Sequence, residues 1–462
     1  MRKLAVAVIL LLLVAVGAFV GAGYLPGPVI EIVTPQQYVG RETPIELVVE
    51  APGGRLAGLT VVFEQGGART VLYEYDGASG PPPTPADGPG DSSANRLRVT
   101  ETISRERVPG LQTGAGRLVV TASRPVLNGL RFVSAEASRD VEVRLDPPRI
   151  SVLSTFHYVN LGGSEMVVYR VTPDDVESGV MVGDVEYPGY PATGVRAEGA
   201  SFSDPAVRVA FFALLQDQPV DTPIRLYARD PAGNRGQAAL DYRAFPKAFR
   251  QSRIPVDDGF MERVVPPILA GTDEIAPAGS LIDQYVAINS ELRRLNAERI
   301  ASFATETSPE MLWEGQVFHA FANNAVESGF ADRRTYVYQG REVDRQTHLG
   351  FDLASYAQTP IVAANRGRVL FADELGIYGN CVIIDHGMGL QSLYAHLSTI
   401  DVRAGDLVEQ EQQIGRSGVT GLAGGDHLHF TMLVHGRMVN PLEWWDPHWI
   451  EDRILRKLRM GR

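Results

Sequence analysis

The chain has 462 residues, enough for about three domains, and sets 43 Lys and Arg against 55 Asp and Glu for a formal net charge of -12. That acidic balance, without any basic cluster interleaved with aromatics, argues against a nucleic-acid partner. The single cysteine, Cys381, excludes an internal disulfide framework and a cysteine-rich metal site, and its apolar setting marks it as a small buried hydrophobe.

Arg2 and Lys3 precede an unbroken run of apolar and small residues from Leu4 to Gly23, as long as a membrane span requires. Residues 1–26 therefore read as a signal anchor. Everything after Pro26 is expected outside the cytoplasm, periplasmic or extracellular, on a single-pass protein of the bacterial inner membrane. Ala15-Val-Gly17 and Gly21-Ala-Gly23 loosely fit a small-x-small cleavage site, which keeps a cleaved signal peptide as the alternative.

The fold class is mainly β and multidomain. Residues 27–149 hold short β-branched runs, Ile30-Glu-Ile-Val, Ile45-Glu-Leu-Val-Val and Leu59-Thr-Val-Val-Phe among them, separated by Gly and Pro. Ala78 to Ser93 is a Pro/Gly/Asp-rich stretch read as a long exposed loop between strands. The pattern resumes over 150–245, after Pro147-Pro148, with Val167-Val-Tyr-Arg-Val and Val207-Arg-Val-Ala-Phe-Phe-Ala. It ends on the turn Asp230-Pro-Ala-Gly-Asn234. Two β-sandwich-like, immunoglobulin-like modules are predicted, neither with a catalytic constellation.

Residues 246–326 read as a linker with helices. A short helical piece is predicted around Met261 to Leu269. A clear helix then opens at Ser280, with Leu281, Tyr285, Ile288, Leu292 and Leu295 on one face. Ser280 and Asp283 suit a capping box, and Glu291 with Arg294 an ion pair. Ser308-Pro309-Glu310 predicts a further helix to about Val326. Residues 327–445 then read as closely spaced strands with Gly turns, an antiparallel β-sheet domain, and 446–462 as a short tail helix.

Within that last domain the histidines concentrate: His348-Leu-Gly-Phe-Asp352, Tyr394-Ala-His396-Leu-Ser398 and Asp426-His427-Leu-His429-Phe430 hold four of the nine His of the chain. At strand periodicity His427 and His429 point to one face, while Gly350 makes His348 and Asp352 a loop entering a strand. Imidazole nitrogen with carboxylate suits zinc, and three protein ligands with one open position is a catalytic arrangement. Five candidates exceed that number, so some of them are acid/base or supporting groups. His386 reads as structural, and Tyr394 either as a hydrogen-bond donor to the reacting group or as a packed ring.

These motifs, with Gly415-Arg-Ser-Gly418-Val-Thr420-Gly421 and Gly379-Asn380-Cys-Val-Ile-Ile-Asp385-His386-Gly387, resemble the lysostaphin-type (LytM-like) zinc metallopeptidases that cut peptide bonds of bacterial peptidoglycan. The likeness covers roughly residues 315–442. It implies Zn2+ on His348, Asp352 and His429, and a catalytic pair of His396 and His427. Thr431 and Asp426 depart from the family's usual residues without removing a ligand.

The reading is a membrane-anchored zinc endopeptidase acting on peptidoglycan stems or cross-bridges, with peptidoglycan peptides, the membrane and a regulatory protein as its partners. One alternative is a catalytically silent peptidoglycan-binding module that activates a wall hydrolase. Another is the same enzyme acting on a secreted or periplasmic protein.

Overall fold

The computed structural model describes residues 2–461 apart from 52–55, 78, 80–82, 86–95, 320 and 322–323. The apolar run folds as one helix, Arg2–Gly21, with its side chains exposed, and through Tyr24 it is long and apolar enough to cross a membrane. The chain divides into two compact units, Met1–Pro147 with Arg229–Arg235, and Pro148–Ala228 with Gly236–Arg462.

The first unit holds two sheets. One orders Val29–Thr34, Glu42–Glu50, Arg96–Ser104 and Thr84–Pro85; the other orders Tyr38–Val39, Arg131–Val143, Gly114–Val126, Gly58–Gln65 and Ala68–Tyr75. Alternate residues of both, such as Ile45, Leu47 and Val49 with Leu59, Val61 and Phe63, bury into one core. Of the stretch expected as a long loop, 78–93, most lies outside the described residues, while Thr84–Pro85 forms a short strand at the sheet edge, where Pro forfeits no ladder bond.

In the second unit, Arg149–Val152, Ser164–Thr172, Val207–Ala213 and Tyr190–Pro191 form one sheet, and His157–Asn160 pairs in parallel with Tyr242–Phe245. Further along, an eight-stranded sheet runs in the order Ala325–Ser328, Phe351–Ala354, Leu428–Val434, Leu390–Leu397, Asn380–Gly387, Gly367–Glu374 and Leu407–Val408, with Arg437–Val439 added to Leu428–Val434. Every residue of Leu390–Leu397 and Leu428–Val434 is buried. Covered on both faces, these strands need no strict polar alternation, which is why they read as largely apolar runs broken by His396 and His429 and by the buried Gln391, Ser392 and Thr431. A single apolar core joins this sheet to Ser164–Thr172 and Val207–Ala213. In it Trp444 packs against Phe211, Trp313 and Phe318.

Two helical elements lie between. Asp258–Ala270 is capped by Asp257, whose carboxylate accepts from the Phe260 amide at 2.8 Å. From Leu281 to Ser302 the helix is continuous but widens to a π-type turn at Ile288–Leu292, burying Tyr285, Ile288, Asn289, Leu292 and Ile300. Asp283 accepts from the Ser280 amide at 2.9 Å, as the capping residues predict. Arg294 pairs with Glu298 at 2.6 Å rather than with Glu291, taking the i,i+4 partner.

The helix expected from Ser308 to about Val326 does not form among the described residues. Its backbone donors go sideways instead, Met311 to the Gly194 carbonyl at 2.9 Å, Leu312 to His386 at 2.8 Å and His319 to Ala364 at 2.9 Å. Glu314 and Gly315 both take positive φ, and Met311, Trp313 and Phe318 are buried. Burial of large side chains on several sides of the strap outweighed the favourable helix start.

Candidate metal centre

The sheet register delivers the site. Asp352 on Phe351–Ala354 stands opposite His429 on Leu428–Val434, and His429 in turn opposite Ala395. His348 ends the strand Arg341–His348, three residues before Phe351, so the chain turns through Leu349-Gly350 and returns Asp352 to the same point. Gly350 is needed there because a Cβ would lie 2.6 Å from His429 Nε2. His427 pairs across an isolated bridge with Gly418, just before the strand that carries His429.

His396 reaches the site by an irregularity. Asn380 pairs with Leu397 but Val382 with Tyr394, so Ala395 and His396 together face a single residue, a β-bulge at which His396 takes φ of 62°. The bulge breaks the two-residue alternation, and the His396 ring comes to lie 4.8 Å from that of His427 and 5.8 Å from that of His429. All five residues forecast from the sequence motifs therefore meet in one place.

Three donor atoms converge. His348 Nε2 lies 2.9 Å from Asp352 Oδ1 and 3.0 Å from His429 Nδ1, which is itself 2.9 Å from Asp352 Oδ1. His348 Nδ1 donates to the Gly329 carbonyl at 3.1 Å, which leaves the Nε2 lone pair directed at the other two atoms. Lone pairs gathered on one point around a carboxylate oxygen repel unless a cation stands among them. Among the described residues this triad is the group arranged to hold a metal ion, and its nitrogen-oxygen set fits a borderline divalent ion. His429 Nε2 is buried without a partner.

The supporting shell is explicit. Arg334 donates to Asp352 Oδ2 at 3.0 Å and to Ser328 Oγ at 2.7 Å, fixing the carboxylate. His396 Nδ1 donates to the Thr420 carbonyl and His427 Nδ1 to the Gly425 carbonyl, both at 2.8 Å, so each ring keeps its Nε2 lone pair for the site. Thr420 is itself held where Gly379 and Gly421 bring two loops into backbone contact, both at positive φ. Burial opposes ionisation of Asp352, but His348, His427 and His429 outweigh it and hold the carboxyl well below its ordinary range. Burial, reinforced by His427 and His429, holds His396 well below its usual value. Burial also depresses His427, but hydrogen bonding and attraction to Asp352 prevail and raise it.

The triad and both other histidines line a cavity of about 650 Å³ whose remaining walls include Phe260, Tyr285, Arg293, Tyr336 and Tyr378. The helical stretches Asp258–Ala270 and Leu281–Ser302 thus form part of its wall. Tyr378, absent from the sequence motifs, sets its ring edge-on to His429 at 5.6 Å. Tyr394 is not in the cavity: its hydroxyl accepts from the Ala364 amide at 2.7 Å, which makes it a packed ring. His386 is also structural, with Nδ1 donating to the Arg366 carbonyl and Nε2 accepting from Ser392, both at 2.8 Å. Asp426 accepts from Ser417 Oγ at 2.6 Å and Thr431 is fully buried; neither lines the cavity.

Residues 346–441 match Peptidase family M23. Over 184 residues the chain is 30% identical to the peptidoglycan DD-endopeptidase ShyA of Vibrio cholerae, covering 37% of this chain and 41% of that protein. It is 34% identical to ShyB, a peptidoglycan DD-endopeptidase of the same organism, over 122 residues, 26% of this chain and 28% of that one. With the DD-carboxypeptidase/endopeptidase Mpg of Neisseria meningitidis it shares 40% over 95 residues, 21% and 22% of the two chains. The matches thus span less than half the length of these relatives. Convergence of the His348, Asp352 and His429 donors inside the matched segment agrees with that likeness, and residues 346–441 form an M23-like domain.

Proposed function

We propose that the protein is a zinc-dependent endopeptidase that cleaves peptide stems or cross-bridges of bacterial peptidoglycan, held at the inner membrane by its N-terminal helix with the remainder periplasmic or extracellular. The observation that carries this reading is the convergence of His348 Nε2, His429 Nδ1 and Asp352 Oδ1 within 3.0 Å of one another beside two further histidines. The relatives whose names describe peptidoglycan endopeptidases support the choice of substrate.

In this reading His348, Asp352 and His429 hold Zn2+, which when bound supplies Lewis acidity and lowers the pKa of a water it holds toward neutrality. The scissile peptide lies in the cavity with its carbonyl between the triad and the Nε2 atoms of His396 and His427. Carbonyl oxygens already occupy both Nδ1–H groups, so these two rings work through Nε2 alone. Between them they take the proton of the attacking water, steady the oxyanion that develops, and return the proton to the leaving amine. Nearly complete burial of both rings excludes bulk water from those transfers.

The deciding experiment incubates the full chain in detergent with purified sacculi, with and without a zinc chelator, beside His427→Ala, and identifies the products. New amino termini that vanish with chelator and in His427→Ala (expected loss about 100-fold or more) support the peptidase. Intact sacculi with zinc bound stoichiometrically would overturn it in favour of a silent peptidoglycan-binding module that activates a separate hydrolase.

A further inference from the structure

The cavity carries a cation that the reaction above does not use. At the wide turn Ile288–Leu292, Arg293 Nε donates to the Asn289 carbonyl at 2.9 Å and Nη2 to Asn289 Oδ1 at 2.6 Å. Asn289 is wholly buried, and its Nδ2 donates to Asp344 Oδ2 at 2.7 Å. The strand Arg341–His348 thus fixes Asn289, and Asn289 fixes one edge of the guanidinium. A guanidinium has five donors, and the rest of these find no acceptor: among the described residues no carboxylate pairs with Arg293.

Two of the other arginines of this cavity are engaged through their N–H donors, and the third through the face of a ring. Arg334 is bonded to Asp352 and Ser328, Arg294 to Glu298, and Arg263 stands over the Phe260 ring at 5.5 Å. Asp257, the acid of the wall, serves as a helix cap. Arg293 lines the same cavity as the metal cluster and as Tyr378, whose ring abuts His429. In a chain of net charge -12, the lining of this cavity sets four arginines, Arg263, Arg293, Arg294 and Arg334, against Asp257 and Asp352. A groove of about 760 Å³ shares Arg334, Gln346 and Thr347 with it and adds Arg253 and Arg333. Those two side chains fall on one face of the three-stranded sheet Gln251–Val256, Asp332–Tyr338 and Arg341–His348, since Arg253 pairs with Thr335 and Arg333 with Gln251, and both are exposed.

We propose that Arg293 is a specificity-determining residue that pairs with a free carboxylate of the substrate, so that the cavity selects acidic peptides over neutral ones. This rests on the peptidase reading. A planar fork pre-set by two hydrogen bonds loses little freedom on meeting a carboxylate, and the match is bidentate. The anchored turn supplies a selectivity that the five histidine and aspartate residues, which act on any peptide bond, do not.

The test uses a fluorescein-labelled cross-linked stem-peptide dimer with its carboxylates free, and the same dimer converted to carboxamides. Cleavage is followed for the full-length protein, Arg293→Gln and Arg293→Lys, and equilibrium binding of both dimers is measured by anisotropy on zinc-stripped protein. Wild type is expected to prefer the acidic dimer about tenfold or more in KM. Arg293→Gln should lose that preference through KM with kcat nearly unchanged, and leave the amidated dimer unaffected. Arg293→Lys, which keeps charge without the fork, should recover part of it. Should Arg293→Gln fail to fold, as circular dichroism would reveal, the Lys variant carries the comparison. Equal KM values for the two dimers in wild type, or a preference that survives Arg293→Gln, would overturn the proposal while leaving the peptidase standing. If neither dimer is cleaved, the peptidase reading falls and the anisotropy pair still decides whether Arg293 reads the carboxylate.

Discussion

Arg334 takes the second oxygen of Asp352 and thereby turns the first toward His348 and His429. Orientation of a ligand by its neighbour governs affinity, so Arg334→Ala is expected to weaken zinc binding by about 10–100-fold. Competition with a fluorescent chelator measures this, and wild-type affinity in the variant would show that packing alone aims Asp352. His429→Ala removes a donor outright and should abolish stoichiometric zinc, read by elemental analysis of the purified protein. Much at this scale was legible in the sequence. His427 and His429 at spacing two announce a shared strand face, and His348 and Asp352 on either side of Gly350 a turn through which the two converge. His396 was visible only through its motif, since strand alternation says nothing of the bulge that turns it inward. Tyr378 and Arg293 carry no local signal, because their place in the cavity is set by contacts distant in sequence.

The parallel pair His157–Asn160 with Tyr242–Phe245 begins at a buried histidine whose Nδ1 donates to the Asp241 carbonyl and whose Nε2 accepts from Ser154 Oγ, both at 2.9 Å. Burial, then the charge of Lys457, lowers the His157 pKa to about 4 from an ordinary 6.5. A base depressed by folding contributes stability that is present above pH 6.5 and lost as pH falls through 4. In chemical denaturation at the two ends of that window, His157→Gln should therefore gain on wild type by on the order of 2 kcal/mol as pH is lowered. A difference independent of pH would mean the ring stays neutral or charged in both states. Among the elements, the helix opening at Ser280 was readable because its apolar stripe and its cap agree. The strap after Ser308 was misread because Pro309 and Ser308 make a helix start that the lateral bonds of Met311, Leu312 and His319 override.

At the scale of the molecule, the second unit is joined by a buried ion pair. Lys457 Nζ meets Glu165 Oε1 at 2.5 Å with both side chains at most 1% exposed, and donates to the Met166 carbonyl at 3.0 Å. Glu443 accepts from Asn160 Nδ2 at 2.9 Å and the Ser164 amide at 2.7 Å, tying the end of the sheet domain to the strand Ser164–Thr172. Lys457→Met leaves the Glu165 charge buried and should cost about 3–5 kcal/mol, whereas the double change Lys457→Met with Glu165→Met restores much of it. Urea unfolding of wild type, Lys457→Met, Glu165→Met and the double variant tests this; equal losses in single and double variants would show that packing, not charge, is at stake. Sequence reading separates a module ending near residue 245 from a sheet domain beginning near 327. A continuous apolar core across 159–458 lies beyond periodicity, which reports faces and not partners.

That continuity has a consequence for how such proteins diversify. The five side chains at the reacting centre come from residues 348–429, but Phe260, Tyr285 and Arg293 of the cavity wall come from upstream helices. On the proposed reading, reactivity and appetite are thus written in different parts of one chain. Substitutions within residues 254–302 would, on that reading, change which peptides the cavity accepts while leaving the five side chains in place, so two relatives with the same histidines need not share a diet.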